Sequence, residues 1–229
     1  MLDALVVAPH PDDAELGAGG TILMLQAAGR RVGVLDLTDG EPTPHGSIAT
    51  RRRETAEASR ILRLDWRENL GLPNRSLQAT LAARHELASV IRHTRPRWLF
   101  APYWVDAHPD HTAATELVEA ARFWAKLTKS DLRGDPHHPE RVYYYFCVHL
   151  RVLPSPAFIL DISEHWQTKL EAIRCYQSQF VAGRSTAAPT FLDSLRDQAA
   201  YWGHLIGTQF GEPLTSREPI GLTGLEHLI

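Results

Sequence analysis

Ala4-Leu5-Val6-Val7-Ala8-Pro9-His10-Pro11-Asp12-Asp13 decides the fold, because a second stretch, Trp98-Leu99-Phe100-Ala101 leading to His108-Pro109-Asp110-His111, is built on the same plan. In each, an apolar run without polar alternation gives way to proline and then to a cluster of histidine and aspartate. Such runs read as short strands buried on both faces. In an open, mostly parallel α/β sheet, groups just beyond the carboxyl ends of neighbouring strands converge on one crevice. Two clusters far apart in the chain can therefore share one site.

The segments around these two strands alternate. Residues 17–28 read as a helix, with Ile22, Leu23, Leu25 and Ala28 as its apolar stripe and Gly29 as its stop. A strand follows at 32–37, a helix at 51–63 and another at 78–93, with a strand required between the two helices. Residues 112–126 read as the helix that leaves the second cluster, and 129–140 have the Gly, Pro and Asp content of a loop. Strands are expected at 142–148 and 157–161, helices at 164–178 and 190–206, and an irregular tail with one short strand. This order predicts a single α/β domain over 1–229, a Rossmann-like, mostly parallel sheet with helices on both faces and right-handed crossovers.

Composition removes several classes of function. With 24 basic and 27 acidic residues, a net charge of -3 gives no electrostatic case for nucleic acid or an anionic membrane surface. No run approaches the roughly 20 apolar residues that span a bilayer, and Met1-Leu2-Asp3 is not the basic start of a signal peptide. The expectation is a soluble, cytoplasmic protein. Cys147 and Cys175 are expected to be free thiols without a chemical role.

The clusters themselves carry metal chemistry. A catalytic zinc takes three protein ligands and keeps one position open. His10, Asp13 and His111 offer two imidazoles and a carboxylate, and the i, i+3 spacing of His10-x-x-Asp13 and His108-x-x-His111 suits a strand-to-helix turn. Asp12, beside the ligand Asp13, is the candidate general base. The same donor set accepts Fe²⁺ or Mn²⁺ as well as Zn²⁺. One His-Pro-Asp tripeptide alone would more often be a turn or helix cap, but here two clusters follow two strands in the same way. A rival reading takes Gly17, Gly19 and Gly20 with Asp36 as the glycine loop and ribose-binding acid of a nucleotide- or methyl-donor-dependent transferase. Against it, His10 to Glu15 separates the glycines from the strand, and no Gly-Lys-Ser/Thr follows.

The stretch Ala8-Pro-His-Pro-Asp-Asp-Ala-Glu-Leu-Gly-Ala-Gly-Gly-Thr21, together with His108-Pro-Asp-His111, resembles the LmbE-like, PIG-L family of zinc-dependent N-acetylglucosaminyl deacetylases. The resemblance extends through Thr50-Arg-Arg-Arg-Glu54, Asn69-Leu-Gly-Leu-Pro-Asn-Arg75, Phe100-Ala-Pro-Tyr103, Asp161-Ile-Ser163, Tyr176-Gln-Ser-Gln-Phe180 and Ser216-Arg-Glu-Pro219. It is similar in particular to the bacillithiol branch, which deacetylates N-acetylglucosaminyl-malate. The resemblance implies His10, Asp13 and His111 as zinc ligands and Asp12 as base. It further implies His108 at the oxyanion or the departing amine, Asp110 orienting a histidine, and Arg51 on substrate hydroxyls or carboxylates. A small glycoconjugate substrate and a homo-oligomer, commonly a hexamer, are implied too. Two positions depart from the pattern: Ala107 stands where the branch often has an arginine able to pair with malate, and Phe191 stands where a tyrosine often donates to the oxyanion. Arg141, Arg184 and Arg217 remain as other anion partners, and another N-acetylglucosaminide or a small amide remains as the substrate.

Overall fold

The computed structural model describes residues 1–149, 154–222 and 224. β1 (Ala4–Ala8) is buried at every position. Leu5 and Val7 pack into one core layer, whereas Ala4, Val6 and Ala8 pack into the layer on the opposite face. That two-sided burial is why the run shows no polar alternation.

The chain continues through α1 (Asp13–Ala27), β2 (Val32–Thr38), α2 (Ile48–Ile61), β3 (Trp66–Leu72), α3 (Leu81–Thr94), β4 (Trp98–Pro102) and α4 (Pro109–Ala125). It ends with β5 (Arg141–Tyr145), β6 (Phe158–Asp161), α5 (Trp166–Arg174), α6 (Gln177–Phe180), α7 (Phe191–Leu205) and β7 (Gly211–Thr215). The strands form one sheet in the order β3-β2-β1-β4-β5-β7-β6. The first five are parallel, and β7 runs antiparallel to both of its neighbours. From β1 the chain builds outward through β2 and β3, then crosses to the other side of β1 with β4. The carboxyl ends of β1 and β4 therefore flank the point where strand order reverses, the usual crevice of such sheets. Helices α3 and α4 cover one face; α1 and α5 cover the other, with α2, α6 and α7 packed around Ile162, Tyr176 and Leu195.

Three details differ from the sequence expectation. Helix α1 starts at Asp13 rather than Gly17, because the Leu16 amide already donates to the Asp12 carbonyl at 3.0 Å. As expected of residues inside the helix, its glycines pack closely: a Cβ on Gly17 would strike the Tyr145 ring, and one on Gly20 would strike Ile162. The single helix expected over 164–178 is interrupted between α5 and α6, where Tyr176 turns inward to donate to Glu15 Oε1 at 3.0 Å. The short strand of the tail, β7, is wholly buried inside the sheet despite its Glu212-Pro213 sequence. Glu212 is satisfied there by the Gly20 and Thr21 amides, at 3.1 and 2.7 Å, and by the Lys169 ammonium.

Candidate metal centre and active site

The turn Pro9–Asp12 carries β1 into α1, and Asp12 caps the helix with φ 133°. A positive φ is strained for a side chain other than glycine. This turn brings His10, Asp12 and Asp13 to the crevice. After β4, His108 caps α4, its Nδ1 accepting the Asp110 amide at 3.2 Å, and His111 lies in the first turn. The four sequence-predicted positions His10, Asp13, His108 and His111 meet: the His10 and His108 ring centroids are 4.8 Å apart, as are those of His108 and His111.

His10 Nδ1 lies 3.0 Å from Asp13 Oδ2, and His111 Nε2 lies 3.3 Å from the same oxygen. His111 is completely buried, and neither of its ring nitrogens has a hydrogen-bond partner of acceptable geometry among the described residues. Two imidazole nitrogens thus converge on one carboxylate oxygen, and that of His111 is left unpaired there among the described residues. A divalent cation between them resolves that arrangement, and two imidazoles with one carboxylate suit Zn²⁺, Fe²⁺ or Mn²⁺. The residues present therefore fit the metal that the sequence pattern implies.

The far nitrogen of His10, Nε2, faces Asp110 Oδ2 at 3.1 Å. Asp110 is itself fixed by the Arg75 amide at 2.7 Å and the Leu77 amide at 3.1 Å. Asp110 thus supports His10, not the adjacent His108.

Asp12 and Asp13 are perturbed in opposite directions. Burial, and next the neighbouring Asp13 charge, push the Asp12 carboxyl up to about 7, against the pull of Arg51 and His10. Burial acts on Asp13 too, but the facing His111 and His10 outweigh it and hold Asp13 well below the usual range. Burial, then the His111 and His10 charges, lower His108, which is consequently neutral at pH 7. With Nδ1 accepting the Asp110 amide, its proton sits on Nε2.

Arg51 is buried. Its Nη1 donates to Asp12 Oδ2 at 2.9 Å and its Nε to Glu41 Oε1 at 3.2 Å, so it grips the candidate base directly. Beside these groups lies a cavity of about 830 Å³ whose lining includes Thr43, Asn74, Arg75, Gln179, Arg184 and Phe191. Of the three arginines without an assigned place, Arg184 is at this cavity. Arg217 and Arg141 lie elsewhere, paired with Glu119 and Glu218. Phe191 stacks on Phe180 with 5.0 Å between ring centroids and adds no donor to the wall.

Three residues at the site escaped the sequence reading. His149 follows β5, 5.6 Å in ring-centroid distance from both His108 and His111, with no neighbouring cluster to mark it. Cys147, expected to be inert, is buried within reach of His111 and Asp106. Asp106 lies two residues before His108, and that spacing was the available signal.

The nucleotide reading fails on geometry. Asp36 accepts two hydrogen bonds from Arg67, both at 2.9 Å, and the glycines of α1 are packed on Tyr145 and Ile162, so neither is available to a dinucleotide.

Comparison with known proteins agrees with this geometry. The family model described as PIG-L, GlcNAc-PI de-N-acetylase, matches residues 5–122. A diacetylchitobiose deacetylase of Thermococcus kodakarensis is 32% identical over 223 residues, covering 91% of this chain and 80% of its own. A probable N-acetyl-alpha-D-glucosaminyl L-malate deacetylase 2 of Bacillus anthracis is 25% identical over 192 residues, covering 77% and 80%. The crystal structure of a conserved protein from Thermus thermophilus superimposes with a TM-score of 0.89 at 42% identity, covering 97% of this chain and 98% of that one.

Proposed function

This chain belongs to the PIG-L family, and from that premise we propose that it is a divalent-metal-dependent hydrolase that removes the acetyl group from an N-acetylglucosamine conjugate. The observation that carries the proposal is the convergence of His10 Nδ1, His111 Nε2 and Asp13 Oδ2 beside a half-buried Asp12 held by Arg51. When bound, the metal acts as a Lewis acid on the amide carbonyl and lowers the pKa of a water to about 7.

The protein's own groups do the rest. Asp12, with a pKa pushed up to about 7, takes the proton of the attacking water and returns it to the departing amine. Arg51 holds Asp12 in place and favours its ionised form. His108, neutral and carrying its proton on Nε2, donates to the oxygen that becomes negative as the carbonyl turns tetrahedral. Thr43, Asn74, Gln179 and Arg184 offer the cavity polar groups for sugar hydroxyls, and Phe191 offers an apolar wall.

For the aglycone, Arg184 and Arg75 are cavity cations available to malyl carboxylates in place of the arginine absent at Ala107. That supports N-acetylglucosaminyl-L-malate. The greater identity to the diacetylchitobiose deacetylase favours a second reading, a neutral N-acetylglucosaminide such as diacetylchitobiose. Among the described residues no helix is long and apolar enough to cross a membrane, and we place the enzyme in the cytoplasm, acting on a small glycoconjugate.

Acetate release from N-acetylglucosaminyl-malate, diacetylchitobiose and free N-acetylglucosamine, measured with zinc, iron(II) and manganese, tests both levels. Release from at least one substrate, abolished in Asp12→Asn, is expected. No release from any of them sinks the deacetylase assignment, and preference for diacetylchitobiose sinks the malate reading alone.

A further inference from the structure

His10 and His111 are the two imidazoles of the candidate metal centre, and only His10 has an aligned hydrogen bond on its far nitrogen, to Asp110. His111 faces a different carboxylate. Asp106, in the loop between β4 and α4, has a side chain only 1% exposed, and its Oδ2 lies 3.2 Å from His111 Nδ1. Its other oxygen, Oδ1, accepts the His108 amide at 2.7 Å. Asp106 Oδ2 and His111 Nδ1 are both buried and, among the described residues, both without any other hydrogen-bond partner.

A buried carboxylate oxygen left unpaired is costly, and it can only accept. The group that can satisfy it is the imidazole opposite, provided that Nδ1 carries the proton. Nε2 is then left as a bare lone pair, and that is the nitrogen aimed at Asp13. We propose that Asp106 is a positioning residue: by accepting from His111 Nδ1 it fixes the tautomer and ring orientation that present Nε2 to the cation. Each metal-facing imidazole is thereby held on its far side by its own carboxylate, Asp110 for His10 and Asp106 for His111. Asp106 also holds the His108 amide, so one side chain sets both histidines of the His108–His111 turn. The inference rests on the metal reading of His10, Asp13 and His111.

Asp106→Asn nearly preserves shape and can still accept the His108 amide through its carbonyl oxygen. It loses the obligate acceptor, because an amide can instead donate to Nδ1 and force the proton onto Nε2. Zinc affinity, measured by competition with a chromophoric chelator, should fall about 10- to 100-fold. The melting temperature of the metal-free variant, as a check on folding, should stay within a few degrees of the parent. Cys147, the third potential donor beside this pair, supplies the control: Cys147→Ala should leave affinity within about twofold. Nitrogen-15 NMR of the zinc-loaded parent, which needs no variant, should show the His111 proton on Nδ1. Zinc affinity unchanged in Asp106→Asn, or a proton absent from Nδ1, overturns the role of Asp106. A loss seen in Cys147→Ala instead transfers that role to the thiol. A parent protein that binds no zinc overturns the metal reading itself.

Discussion

Asp12 combines three properties that a purely structural helix cap does not need: a positive φ, a side chain only 14% exposed, and an ion pair to a buried arginine. Strain of this kind costs about 1–3 kcal/mol and persists where the surroundings impose it. Here the backbone on either side is tied by His10 and Asp13, so Asp12 is aimed at the crevice. Asp12→Asn should therefore lower kcat by about 10²- to 10⁴-fold while leaving metal content unchanged. Full activity, or loss of the metal, would contradict the assignment of Asp12 as base and Asp13 as ligand. The pH dependence follows from the same contacts. The base must be ionised, so kcat/KM should rise with pH along a limb set by Asp12. That limb should lie at or below about 7 in the loaded enzyme, because a bound cation adds to the pull of Arg51 on a carboxyl that burial and the Asp13 charge raise. Arg51→Gln removes one of these positive charges, so the limb should move to higher pH; a pH–rate profile that stays in place would leave Arg51 with a role in substrate contact only.

The strand-to-helix junctions decide where these side chains point, and α1 is the element most dependent on small residues. Gly17 lies against the ring of Tyr145, whose hydroxyl donates to the Val7 carbonyl at 2.9 Å. Tyr145 thus packs between α1 and the end of β1. Gly17→Ala would press a methyl group into that ring, and overpacking of this sort costs about 1–3 kcal/mol. The expected result is a lower urea midpoint with an unchanged m-value, together with weaker metal binding because Asp13 sits one turn away on the same helix. Stability equal to the parent would show that Tyr145 moves aside freely. The alternation of apolar runs and helical stripes made β1, β2, β4 and the helices between them legible before any coordinates. Other elements carried weaker signals. The start of α1 was obscured because glycine usually marks helix ends, whereas here it marks close packing. β3 has a polar sequence since it is an edge strand whose Arg67 turns inward to Glu15 and Asp36. β7 was seen only as a short strand in an irregular tail. Its buried Glu212 acquires its partners from α1 and α5, far away in sequence.

On the scale of the molecule, reversal of strand order between β1 and β4 gathers Asp12, Asp13, Asp106 and Asp110 around one point, with Arg51 touching only Asp12. His10, Asp13 and His111 were legible as candidate ligands because each follows or opens a recognisable element, whereas Cys147 and His149 join the site only when β4 and β5 pair in parallel register. In this crevice burial raises the Asp12 carboxyl, and so does its repulsion by the neighbouring Asp13 carboxylate. A cation that binds the folded state alone relieves that repulsion and stabilises the fold by mass action. At a free metal concentration 100 times Kd the gain is about 2.7 kcal/mol, which for a chain of this size is a rise in Tm of roughly 5–11 °C. The rise should grow with the logarithm of metal concentration, be reversed by a chelator, and nearly vanish in His10→Ala and His111→Ala, each of which removes one of three ligands. Differential scanning calorimetry over a zinc titration measures all of this. A Tm that does not respond to zinc, iron(II) or manganese would mean that the crevice is not a metal centre. An equal response in His111→Ala would mean that the cation binds elsewhere.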